Sequence, residues 1–117
     1  MTASQRREQL LDVSRQLFAE KGFEGTSVEE IAARAQVSKP VVYEHFGGKE
    51  GIYAVVVDRE TTALTQALIG ALERGGHPQL LVERTALALL DYIESSTDGF
   101  RILVRDSPVA QATGTFS

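Results

Sequence analysis

"VSKPVVYEHFGGKE", residues 37–50, sets a proline three residues ahead of a Tyr-Glu-His cluster and follows the cluster with two glycines and a lysine. Three kinds of surface could use those groups: a catalytic constellation, a phosphate-cradling glycine loop, or the edge of a helix that lies on nucleic acid. Catalysis is excluded by geometry. Tyr43, Glu44 and His45 are consecutive, so on a helix they project about 100° apart and cannot converge on one reacting atom. The other histidine, His77, stands in a "GGHP" turn and completes no acid–base set. A P-loop is excluded by spacing: it needs four residues between its first glycine and Gly-Lys, then Ser or Thr, whereas "GGKEG" continues with Glu50. A dinucleotide-binding turn needs a preceding strand, and the sequence offers none. The glycine pair therefore reads as a tight turn between two helices.

The segment ahead of that turn restarts a helix. Ser38 can cap it, and Pro40 is acceptable only within the first turn, where its missing N–H would lack a partner anyway. Val37, Val42 and Phe46 read as its packed side. Upstream, "EGTSVEEIAARAQVS" places Ser27 three residues before Glu30, the spacing of a capping box. Ile31, Ala32 and Ala35 give that helix a narrow face of small residues. At about eight residues it is too short to persist alone in water. Two short helices joined by "QVS" form a helix-turn-helix, braced by a helix in "SQRREQLLDVSRQLFAEKGF". There Leu10, Val13, Leu17 and Phe18 follow the helical stripe. Ser4 is the expected N-cap, and Gly22 the left-handed residue past the end, with Phe23 folding back on Phe18.

Downstream every long segment is again helical, and none alternates with period two. A fourth helix of about 25 residues runs through "KEGIYAVVVDRETTALTQALIGALE", with Ile52, Val56, Ala63, Leu64, Ala67, Leu68, Ala71 and Leu72 on one side. Gly75 and Gly76 stop it and Pro78 opens the next. Residues 79–95 are apolar around most of their circumference, which predicts a helix buried on several sides. "STDG" is read as a break, "FRILVRD" as a short sixth helix, and "SPVAQATGTFS" carries no assignment. The expected fold class is all-α: a head over residues 1–48 and a partial helical regulatory domain over residues 49–117. The fifth helix lacks enough partners, so the chain reads as a truncated product or fragment of a longer all-helical protein. Self-association through the exposed apolar face is the other outlet.

Composition fits a globular protein, with 43% hydrophobic and 24% charged residues. Cysteine is absent, which removes disulfides, thiolate nucleophiles and cysteine-based zinc sites. The N-terminus "MTASQRREQLL" does not have the form of a signal peptide, and no apolar run is long enough to span a membrane. These features point to the cytoplasm. The net charge of −4 lies wholly in the second part: residues 1–49 carry seven cations and seven anions, and residues 50–117 carry five and nine. Because the field that matters is local, this charge distribution permits nucleic-acid binding by the first part.

A helix-turn-helix accounts for each group of the opening stretch. The start of its second helix meets base edges, which places Lys39, Pro40 and Val41 there, while its far end and flanks grip phosphates. Tyr43 and His45 offer donors for phosphate oxygens, Lys49 adds a cation at the next helix start, and Thr26 and Ser27 add hydroxyls at the start of the second helix.

"TSVEEIAARAQVSKPVVYEHFGGKEGIY", with "LFAEKGF" upstream, resembles the helix-turn-helix of the tetracycline-repressor (TetR) family of bacterial transcriptional regulators. The shared pattern is Thr-x₄-Ile-Ala, Val-Ser, Tyr-x-His-Phe and Lys-Glu, in order, and covers residues 6–58. By that resemblance Thr26, Tyr43, His45 and Lys49 match phosphate contacts, and Lys39, Pro40 and Val41 match base-facing positions. Glu44 occupies a variable position, where an acid can accept from a cytosine amino group. The resemblance implies a non-enzymatic repressor that binds a palindromic operator in double-stranded DNA as a homodimer and is released by a small-molecule inducer. It implies no cofactor or metal, no membrane, and a location at the bacterial nucleoid in the cytoplasm. The alternative is a protein-interaction module that pairs with other regulator chains through its last three helices without binding DNA tightly.

Overall fold

In the computed structural model, which describes residues 1–105, the chain forms α1 (Ala3–Lys21), α2 (Val28–Ala35), α3 (Lys39–Phe46), α4 (Lys49–Glu73), α5 (Pro78–Ser95) and α6 (Thr97–Arg105). Asp106, expected at the end of the sixth helix, and the unassigned stretch after it lie outside the described residues. Leu10, Leu17 and Phe18 of α1 are fully buried against Ile31 of α2, Val42 of α3 and Ile52 of α4. Each such side chain contributes about 1.5–3 kcal/mol through loss of apolar surface to water. The same core takes in Val56 of α4 and Ile102 of α6, so the packing is continuous across residues 48 and 49.

The caps differ from expectation at three places. Thr2, not Ser4, caps α1, in a reciprocal box with Gln5, so the helix begins two residues earlier than expected. Gly22 has φ 78° and ψ 173°, so it stops α1 through an extended glycine conformation rather than the left-handed one, its N–H donating to Phe18 O. Phe23 does fold back on Phe18, with ring centroids 6.1 Å apart, and Tyr53 of α4 closes the cluster at 5.2 and 4.8 Å from the two rings. At α2 only half of the expected box forms: Ser27 Oγ accepts from Glu30 N–H at 3.1 Å, while the Glu30 carboxylate takes the Lys21 ammonium. The α2–α3 turn is made by Gln36 in the left-handed region, at φ 60° and ψ 43°.

α3 ends at Gly47, whose φ of 77° and N–H to Tyr43 O make the left-handed stop expected of a glycine. The carbonyl of Phe46 then lies so close to Gly51 that a β-carbon there would overlap it. Gly51 thus lets the end of α3 rest directly on the first turn of α4.

The second part is thinner. The α4 stripe is covered at Ile52, Val56 and Ala71, but Ala63 and Leu72 are exposed. The prediction that the fifth helix is buried on several sides fails. Of the described α5 residues only Tyr92 is buried, and Val82, Leu87 and Leu90 are 70, 65 and 55% exposed, because among the described elements α4 and α6 are its main neighbours. "STDG" is not a break either: Ser96 alone interrupts, and Thr97, Asp98 and Gly99 form the first turn of α6. Gly99 lets the first turn of α6 lie directly on the buried carboxylate of Glu60, which a β-carbon there would displace. Glu60 accepts from the Tyr92 hydroxyl at 3.2 Å, joining α4, α5 and α6. Burial first, and the Glu60 charge second, push the Tyr92 phenol up from 10.0 to about 12.

Two outcomes follow. Gly51→Ala should destabilise the chain by about 1–3 kcal/mol, as overpacking does where backbone is the obstacle, seen as a lower denaturation midpoint. A phenol with a raised folded pKa contributes stability below its unfolded value and loses it as pH rises through the folded one. The fold should therefore weaken between pH 10 and 12, and Tyr92→Phe should abolish the latest step in phenolate absorbance.

Candidate nucleic-acid interface

α2, the Gln36 turn and α3 present one continuous exposed edge. Lys39, Pro40, Tyr43 and Glu44 are all exposed. Their i, i+1, i+4, i+5 spacing spreads them over about 140° of α3, beside the side that carries buried Val42 and partly buried Phe46. Val41 is half-buried on the flank of that face. Tyr43 is 46% exposed and its ring lies along the Gly47–Gly48 turn. Lys39 pairs with Glu29 of α2 at 2.5 Å. The Lys39 hydrogen bond, foremost, holds the Glu29 carboxyl below its ordinary range, and the same bond raises Lys39. The leading cation of α3 is thus carried beside an acid that came from the other helix of the motif.

The remaining expected residues are placed differently from one another. Ser27 is half-buried at the start of α2, its hydroxyl engaged between the Glu30 amide and carboxylate. Lys49, half-buried, donates to Phe23 O at 2.8 Å and lies 4.2 Å from the Phe23 ring centroid. It staples the start of α4 to the α1–α2 loop, with two of three ammonium donors left for another acceptor. His45 is half-buried against Phe46. Thr26 requires a correction: its hydroxyl is not offered outward. The residue is 2% exposed, and the hydroxyl donates to Gly22 O at 2.8 Å and Leu17 O at 3.3 Å, closing the end of α1.

Two further residues make contacts that the sequence does not signal. Arg7 donates to His45 O at 3.2 Å with its guanidinium 4.5 Å from the Phe46 ring centroid. Gln9 donates to Ala35 O at 3.1 Å. Their acceptors are backbone carbonyls 38 and 26 residues away, and a carbonyl partner leaves no residue-type signal. Among the described residues no group of three His, Asp or Glu side chains could hold a metal ion, and no helix is long and apolar enough to cross a membrane.

A three-helix head whose second and third helices form an exposed helix-turn-helix, continuing into a long helix of an all-helical body, defines the class of helix-turn-helix regulators. Residues 10–56 match the family described as bacterial regulatory proteins, tetR family. That match places the three-helix head and the start of α4 in that family. It is 32% identical over 107 residues to the HTH-type transcriptional activator FasR of Mycolicibacterium smegmatis, covering 92% of this chain and 49% of that protein. It is 32% identical over 72 residues to the HTH-type transcriptional repressor DhaR of a Mycobacterium species, covering 62% of this chain and 36% of that one. The chain thus spans half or less of the length of these relatives. A TetR-like transcriptional regulator from Rhodococcus sp. RHA1 superposes with a TM-score of 0.82 at 29% identity, over 94% of this chain and 60% of that one. The fold is also that of the ketosteroid transcriptional regulator KstR2 of Mycobacterium tuberculosis, at a TM-score of 0.84 and 22% identity over 95% and 57% of the two chains.

The inward role of Thr26 has its own test. Thr26→Val keeps the volume and removes the donor, and should cost about 1–3 kcal/mol in urea denaturation. A hydroxyl that served a ligand instead would leave stability unchanged.

Proposed function

We propose that the chain is a sequence-specific, DNA-binding transcriptional regulator, acting as a repressor of the TetR type. The observation that supports this most directly is the exposed face of α3, where Lys39, Pro40, Tyr43 and Glu44 stand together beside the side buried in the core. In this reading Lys39, Pro40, Val41 and Glu44 meet bases in the major groove. Tyr43, His45, Lys49 and Ser27, with the first amides of α2, hold phosphates on either side. Residues 1–48 supply the DNA contact and residues 49–117 belong to a regulatory body. The working form is a homodimer on a palindrome, located with the nucleoid in the cytoplasm. A small-molecule ligand among the body helices releases it by favouring one spacing of the heads. A groove of about 620 Å³ between α4 and α5, lined by Ala67, Gly70, Leu87, Ala88 and Tyr92, is consistent with such a ligand.

The second reading, pairing with other chains through α4 to α6, draws on the exposure of Val82, Leu87 and Leu90. Fluorescence anisotropy on duplex DNA across a salt series separates the two. With about four phosphate contacts per head, log affinity should fall against log salt with a slope of roughly −4. Lys49→Ala should weaken all sequences alike and reduce the slope by about one, whereas Lys39→Ala should change which sequence is preferred. Glu29→Gln frees the Lys39 ammonium and should strengthen binding to every duplex. Complete absence of salt-dependent binding favours the pairing module.

A further inference from the structure

We propose that Arg7 is a positioning residue for base recognition: it fixes the far end of α3 from α1 and so sets the angle at which the α3 face meets DNA. The proposal rests on the DNA-binding reading above. α3 has little else to hold it. It is eight residues long, its N-cap Ser38 makes no side-chain hydrogen bond, and Val42 is its one fully buried side chain. The carbonyls of its last turn have no partner within the helix. Arg7 supplies one, donating to His45 O, and places its guanidinium over the Phe46 ring. A cation at a helix C-terminus is favoured by the aligned peptide dipoles, and only guanidinium combines planar stacking with a directed donor.

The neighbours of Arg7 make this more than an isolated contact. Glu8 takes a bidentate pair from Arg59 of α4, at 2.6 and 2.8 Å. Gln9 donates to Ala35 O at the end of α2. Consecutive helical residues fan out by about 100°. One turn of α1 therefore reaches α3, α4 and α2 with three successive side chains, and closes the carbonyl ends of both helices of the motif. With its guanidinium committed to His45 and Phe46, Arg7 acts on DNA through α3 and not by touching a phosphate.

The test compares wild type with Arg7→Lys and Arg7→Ala in the full chain, using a duplex selected by wild type from a random library and a scrambled duplex. Amide hydrogen exchange of α3 is followed without DNA. Arg7→Lys keeps the charge and loses the stacked, directed contact. It should lower the ratio of specific to non-specific affinity about tenfold, the scale of one misread base pair, with an unchanged salt slope. Exchange in α3 should quicken while α1 and α4 stay protected. Arg7→Ala should do the same; if it unfolds the chain, the lysine variant carries the comparison. An unchanged specificity ratio overturns the proposal, as does a slope reduced by about one in Arg7→Ala with α3 exchange unaltered, which would mark a direct phosphate contact. If wild type binds no duplex, the DNA reading falls, and α3 exchange alone decides the clamp: faster exchange keeps it, unchanged exchange ends it.

Discussion

α2 and α3 contain eight residues each, and helices that short do not persist in water, because nucleation fixes several residues for the first hydrogen bond. The exposed edge they form exists only because α1 holds them. Leu10, Leu17 and Phe18 supply the apolar brace, and each is fully or almost fully buried. The polar side chains of α1 and its flanks then satisfy the groups that the short helices cannot satisfy internally. Ser27 caps the start of α2, Gln9 closes its end, and Arg7 closes the end of α3. The corner of α1 itself is closed by the Thr26 hydroxyl, and Lys49 ties the neighbouring loop to α4. Apolar burial stabilises the head; directed hydrogen bonds decide how its helices are oriented.

That arrangement explains why several cations of the head do not stand free toward solvent. Lys39 is paired with Glu29, Lys49 is bound to a backbone carbonyl, and Arg7 is turned onto Phe46. Exposed ion pairs contribute little stability, typically about 0–1 kcal/mol, so the Glu29–Lys39 pair matters more for where the ammonium is held than for the fold. A head with balanced charge and two acids at the proposed DNA face attracts phosphate weakly through its general field. Discrimination then rests on local geometry, and local geometry is what α1 controls.

The helical order was legible in the sequence because it is written in local patterns. The Ser27–Glu30 spacing, Pro40 in a first turn, and paired glycines before Lys49 mark three helix starts and stops within two residues of their observed positions. The exposed face of α3 was legible for the same reason, since Val42 and Phe46 mark the side that packs and leave the adjoining arc open. Interactions between distant backbone and side-chain atoms were not. Nothing in a threonine at position 26 says whether its hydroxyl faces solvent or the carbonyls of Gly22 and Leu17. Gln36 gives no sign of its left-handed backbone, which glycine or asparagine would have signalled. Glu60 stands within the apolar stripe of α4, but its place in the stripe does not say that it sits beneath Gly99 and beside Tyr92. The fifth helix was misjudged because an apolar circumference shows what a helix can bury, and the partners needed to bury it are a property of the whole assembly.

α4 makes head and body one mechanical unit. Its 25 residues span about 37 Å at 1.5 Å per residue. Ile52 and Val56 at one end are packed into the head core, Gly51 carries the end of α3, and Ala71 and Glu60 meet the body farther along. A tilt of about 5° about its middle would move either end by roughly 1.6 Å over that length. Because Ile52 and Val56 are held in the same core as α1, α2 and α3, the head is carried along by that end of α4. In the proposed ligand response, a change in the packing of α5 against α4 would therefore move the head as a body. The effect would be bounded by the difference in free energy that the bound molecule has for the two tilts. On that reading the body reaches the exposed face of α3 through geometry alone, with no residue of α5 needing to approach it.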